Sequence, residues 1–98
     1  MMASRTEKIR DLLQVLSPRQ IDIEDQSHLH AGHPGAASGG GHYRLTIVSD
    51  RFIGKSPLAR HRVIFDALDE MMRHDIHALS ITALTFDEAS SAQGAKTP

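Results

Sequence analysis

Seven histidines and no cysteine stand among 98 residues, so a metal site supplied by this chain alone can draw on imidazole but not on thiolate. Three of them, His28, His30 and His33, lie in one polar stretch. Their spacing suits a mobile polar loop, and it also suits capture of zinc, nickel or copper, for all of which imidazole is a good donor. A fourth, His77, sits where a helical pattern gives way to a strand pattern. A lone histidine at such a junction is more often structural than ligating. The second cluster is basic: Arg51, Lys55, Arg60, His61 and Arg62 surround a turn at Gly54. Beside a helix N-terminus such a patch suits a phosphate backbone or the acidic surface of a partner; the ordinary reading is a solvated face. Ser49-Asp50 and the histidines raise the question of hydrolysis. No nucleophile elbow accompanies them and no third member stands at a recognisable spacing, so we expect no enzyme.

The rest of the chain must position these groups with little material. A single small domain of this length buries about 60–65% of the surface its unfolded chain exposes, which leaves little room for an enclosed active site. The hydrophobic fraction of 40% fits a globular protein. The formal net charge of −1 gives no global case for nucleic acid, so such a case rests on local clustering. Without cysteine there is no disulfide, no thiol nucleophile and no thiolate ligand from this chain. The segment from Met1 to Arg5 lacks the apolar run of a signal peptide. No apolar run approaches the roughly 18 residues needed to cross a bilayer. The expected location is the cytoplasm, with no membrane partner.

Ser4 and Glu7 have capping-box spacing, and Ile9, Leu12, Leu13 and Leu16 recur on one helical face. This predicts a helix over 4–16, ended by Ser17-Pro18. Residues 19–25 alternate, with Ile21 and Ile23 opposite Asp22 and Glu24, as in a half-buried strand. Residues 26–41 read as a flexible loop rich in His and Gly. A second strand is expected over 42–49, with Tyr43, Leu45 and Ile47 inward. Ser56 and Pro57 suit the N-cap and first position of a helix running to about Met72, whose core stripe is Ile64, Ala67, Leu68, Met71 and Met72, with Phe65 beside it. A third strand over 76–85 turns Leu79, Ile81 and Ala83 inward. Phe86 to Ala89 closes the domain, and 90–98 reads as a disordered tail. The fold class is α+β in the order α-β-β-α-β. The first two strands pair antiparallel, the helical crossover allows a parallel third, and both helices cover one face of a three-stranded mixed sheet.

Several pieces occur together: Val48-Ser49-Asp50-Arg51-Phe52, then Gly54, then Leu58-x-Arg60-His61-Arg62, then Ile76-His77-Ala78-Leu79, then Thr85, with a glycine-rich insertion before His42-Tyr43. In this combination the chain resembles the BolA family over about residues 5–88, which makes 1–89 a BolA-like domain. The resemblance implies a class II KH-like fold. It also implies partnership with a monothiol glutaredoxin around a bridging 2Fe-2S cluster, with His77 as the C-terminal ligand. His30 best matches the loop ligand, His33 is next and His28 third. Two histidines leave two positions for a glutaredoxin cysteine and a glutathione thiol, so the protein alone, a monomer or weak homodimer, should hold no cluster. The alternative implied role is a DNA-binding transcriptional regulator of stress response, morphology and biofilm, using Arg51, Gly54, Lys55, Arg60, His61 and Arg62. Against it, the turn Gly54-Lys55-Ser56-Pro57 lacks the second glycine of a KH clamp.

Overall fold

Capping fixes where the first helix starts. In the computed structural model, which describes residues 4–27 and 41–95, the Ser4 hydroxyl accepts from the Glu7 amide at 3.2 Å and the Glu7 carboxylate reaches back to the Ser4 amide. Helix α1 spans Arg5–Leu12 and tightens into a 3-10 turn over Leu13–Leu16. Ile9, Leu13 and Leu16 are buried, but Leu12, expected on the same face, is 41% exposed. The tighter turn carries Leu16 inward three residues after Leu13, and Leu12 falls to the side. Ser17 takes a left-handed conformation (φ 47°) that ends the helix.

Strand β1 (Gln20–Asp25) pairs antiparallel with β2 (Gly41–Val48), and β2 pairs parallel with β3 (Ile76–Leu84), in the order β1-β2-β3. The central strand alternates as its sequence demands: Tyr43, Leu45 and Ile47 are buried and face Leu79, Ile81 and Ala83 across the parallel register. The other side of the sheet carries Asp22, Glu24, Arg44, Ser80 and Thr82, all exposed. A strand covered on one face and wet on the other gives this period of two.

The crossover begins with a 3-10 turn at Asp50–Phe52 that buries Phe52. Gly54 follows with φ +79°, a region that favours glycine. Helix α2 (Pro57–Ala67) starts at the Ser56 cap with Pro57 in its first turn. It does not run unbroken to Met72: Leu68 departs from helical geometry, and a separate α3 spans Asp69–His74. Asp69 and Glu70 in the first turn of α3 suit a new helix N-terminus. The offset leaves Ile64, Leu68 and Met71 buried, Ala67 and Met72 partly so, and Phe65 37% exposed.

The core is one cluster, joining Ile9, Leu13 and Leu16 to the inner face of the sheet, Phe52, and the crossover residues Ile64, Leu68 and Met71. The helices thus pack on a single face, as expected. After β3 the chain continues as α4 over Phe86–Ala95. This corrects the expectation of a frayed tail from residue 90 onward. Thr85 and Glu88 make a second reciprocal cap: the Glu88 amide donates to Thr85 Oγ1 (3.2 Å) and the Thr85 amide to Glu88 Oε1 (2.8 Å). Ala89, Ala92 and Ala95 then favour helix intrinsically.

Candidate functional site

His77 is the second residue of β3, anchored by buried Ile76 before it, and is itself exposed. Gly41 pairs with Ile76 and His42 with Ala78, so His77 is the extra residue of a β-bulge. Bulges re-aim a side chain out of the strict alternation of a strand. The His77 ring lies 5.1 Å from the ring of His42, centroid to centroid, tilted by 48°.

The chain returns to the sheet from residues 28–40 at this same corner. The Gln26 amide donates to the His42 carbonyl (2.7 Å), the His42 amide to Ser27 Oγ (3.0 Å), and the Gly41 amide to the Asp75 carbonyl (3.0 Å). The first two bonds fasten the stems of the histidine segment together, and the third ties Gly41 to the start of β3, so the described ends of the expected 26–41 loop are held at the sheet margin. A Cβ on Gly41 would come within 2.5–2.7 Å of the end of the Tyr43 side chain, so any larger residue would have to displace that buried side chain where the segment re-enters. Burial pushes the Tyr43 phenol above its usual range and keeps it neutral. His28, His30 and His33 lie outside the described residues. His42 was missed in the sequence, where it reads as an outward position of an alternating strand. Its signal was position: it directly follows the glycine run that brings the segment back.

The basic cluster is divided by the fold. Arg51, Lys55 and Arg62 are exposed, and His61 is half-buried, edge-on to Phe65 at 6.5 Å. Arg60 points inward and is only 8% exposed. Its Nε donates to the Lys55 carbonyl (2.9 Å) and its Nη1 to the Ala83 carbonyl (3.0 Å). Nη1 also donates to Glu88 Oε1 (2.6 Å) and Nη2 to Oε2 (3.3 Å), and Phe52 lies under the guanidinium. One side chain thereby ties the Gly54 turn, the end of β3 and the start of α4. Arg60, expected among the nucleic-acid contacts, has its guanidinium engaged inside the fold, where a phosphate would compete with Glu88 and two carbonyls. The Arg60 guanidinium and the Thr85 amide hold the Glu88 carboxyl down at about 2.

The helix N-terminus beside the turn is also largely occupied. Pro57 has no amide proton, the Ala59 amide donates to Ser56 Oγ (3.2 Å), and the Arg60 amide donates to the Ser56 carbonyl (3.0 Å). Ser49 and Asp50 both have partners within the fold. The buried Ser49 hydroxyl donates to the Leu16 carbonyl (2.5 Å) and accepts from the Arg51 amide (3.0 Å). Asp50 makes a bidentate pair with Arg19 (2.9 and 3.0 Å), which depresses its carboxyl. No described helix is long and apolar enough to cross a membrane.

The profile of the family described as BolA-like protein matches residues 12–88, most of the chain. The chain belongs to the BolA-like family. Among curated relatives it is 42% identical over 90 residues to SufE-like protein 1, chloroplastic/mitochondrial, of Arabidopsis thaliana, a match covering 86% of this chain and 24% of that protein. It is 45% identical over 74 residues to BolA-like protein 1 of Pongo abelii, covering 76% of this chain and 52% of the relative. The chain therefore spans a quarter to a half of these relatives' lengths. Among solved structures, the BolA domain of SufE1 from Arabidopsis thaliana superposes with a TM-score of 0.76 at 44% identity, covering 90% of this chain and 99% of that domain. A BolA-like chain of this architecture also accounts for the mixed three-stranded sheet and its helices.

Proposed function

We propose that this BolA-like chain is a non-enzymatic partner of a monothiol glutaredoxin, and that the two proteins share a bridging 2Fe-2S cluster. The observation that carries the reading is the exposed His77, lifted out of strand alternation by a bulge at the margin where the histidine segment rejoins the sheet. The donor set fits the group. Neutral imidazole can replace thiolate on iron–sulfur clusters. Among the described residues no group of three or more His, Cys, Asp or Glu could hold a metal ion, so a site centred on His77 needs donors from elsewhere. His77 would supply one nitrogen, and His30 or His33 the second. A glutaredoxin cysteine and a glutathione thiol would complete the four. Bound there, the cluster would supply one-electron redox and iron–sulfur carriage.

The chain's own contribution is geometric: the bulge presents His77 out of strand alternation at the sheet margin. The DNA-binding alternative loses support at Arg60, whose donors are already engaged inside the fold.

The reading is tested by size-exclusion chromatography with absorbance in the visible range. Iron, sulfide and glutathione added to this protein alone should leave no chromophore on it. With a monothiol glutaredoxin, colour should co-elute with a heterodimer. Colour that elutes only with glutaredoxin would refute the reading.

A further inference from the structure

We propose that His42 is a positioning residue: its ring is the wall that fixes the direction in which His77 presents its nitrogen. The inference rests on the reading of His77 as a ligand and deepens it. The two rings are in contact, 5.1 Å between centroids and tilted by 48°, but they are not held alike. His42 is half-buried in the central strand, with its amide bonded to Ser27 Oγ and its carbonyl to the Gln26 amide. His77 is exposed, on an edge strand, in a bulge. An exposed histidine samples several staggered χ1 wells and a broad χ2, and ordering it on binding carries an entropic penalty. A fixed ring against one face removes part of that freedom in advance. The same residue fastens both stems of the histidine segment, so the segment's take-off point and the His77 ring are referenced to one rigid position. The bulge supports this role, because it turns His77 out of the strict alternation and leaves its ring 5.1 Å from that of His42. Hydrogen-bonding groups that orient ligating histidines commonly matter about 10-fold to 100-fold in affinity or activity, and a packing contact belongs at the low end of that range.

The role depends on ring packing, so an aromatic ring without nitrogens should perform it. The test compares His42→Ala, His42→Phe and His77→Ala in the full chain. In the metal-free protein, the His77 ring carbon–proton resonances are recorded by NMR. In the reconstituted glutaredoxin heterodimer, the rate of loss of the visible circular-dichroism signal to a chelator is measured. His42→Ala should move the His77 resonances towards random-coil positions and speed signal loss roughly tenfold. His42→Phe should keep both near wild type, and its amide spectrum checks the fold. Unchanged His77 resonances in His42→Ala would overturn the proposal. So would a His42→Phe protein that holds the His77 ring in place yet loses the signal as fast as His42→Ala, since a nitrogen of His42 would then be the working group. If His77→Ala leaves the heterodimer spectrum unaltered, the ligand reading fails, and the metal-free resonances still decide whether His42 positions the ring.

Discussion

The two ends of β3 treat their polar side chains in opposite ways. At the start, His77 stands in solvent on a bulge, its ring against His42. At the finish, the Ala83 carbonyl, the Thr85 amide, Glu88 and the Lys55 carbonyl converge on one another through Arg60. Both residues belong to the motifs that carry the family resemblance, and both have the chemistry to bind something. The difference lies in what is left over. Arg60 is almost fully buried and its donors are engaged by internal partners, so its contacts hold the fold. His77 is exposed, so it can accept a ligand without breaking the fold. A residue's type does not tell these cases apart; its burial and partners do.

Stability should separate the two ends of β3 first. Arg60→Ala removes donors from two carbonyls and Glu88, and equilibrium urea unfolding should show a loss of about 2–4 kcal/mol. Arg60→Lys should also lose stability, because an ammonium cannot reproduce the forked contacts. A loss below about 0.5 kcal/mol would remove the contrast. The matching prediction at the other end is that His77→Ala changes stability by less than about 0.5 kcal/mol. A larger cost would make His77 structural too.

Acid sharpens the same contrast. The Glu88 carboxyl is held at about 2, below the ordinary glutamate value of 4.5. The unfolded chain binds its proton first, so the contribution is present above about pH 4.5 and lost as pH falls towards 2. Urea midpoints between pH 5 and 2.5 should fall less steeply for Glu88→Gln than for wild type. Parallel curves would place the Glu88 pair outside the stability of the fold. The smallest effect concerns the outward cations: Lys55→Ala and Arg62→Ala should leave stability within about 0.5 kcal/mol. Each should also flatten the salt dependence of any weak retention on DNA by a slope of about 1. Arg60→Lys, in contrast, should leave that slope alone.

Strand periodicity, the caps at Ser4 and Ser56 and the turn at Gly54 made most of the sheet and its crossover readable in the sequence, because each is a local preference that the tertiary packing also satisfies. Leu12 and the α2–α3 offset were not, since both depend on how a helix end settles against the core. The length of α4 escaped as well: the Thr85–Glu88 cap follows a strand, where a small polar tail reads as disorder. At the site, His77 was visible as a motif, but its neighbour His42 was hidden by alternation, and the inward turn of Arg60 by its place in a basic run. Two arginines two apart on a helix must diverge; which of them turns inward is settled by Glu88, 28 residues on.

On the proposed reading, His77 at the open end of β3 is a cluster ligand. Visible circular dichroism of the protein mixed with a monothiol glutaredoxin, glutathione, iron and sulfide decides this, with wild type run beside His77→Ala. The wild-type spectrum should differ from that of the glutaredoxin homodimer, and the His77→Ala spectrum should collapse onto the homodimer's. A His77→Ala spectrum matching wild type would rule out His77 as a ligand.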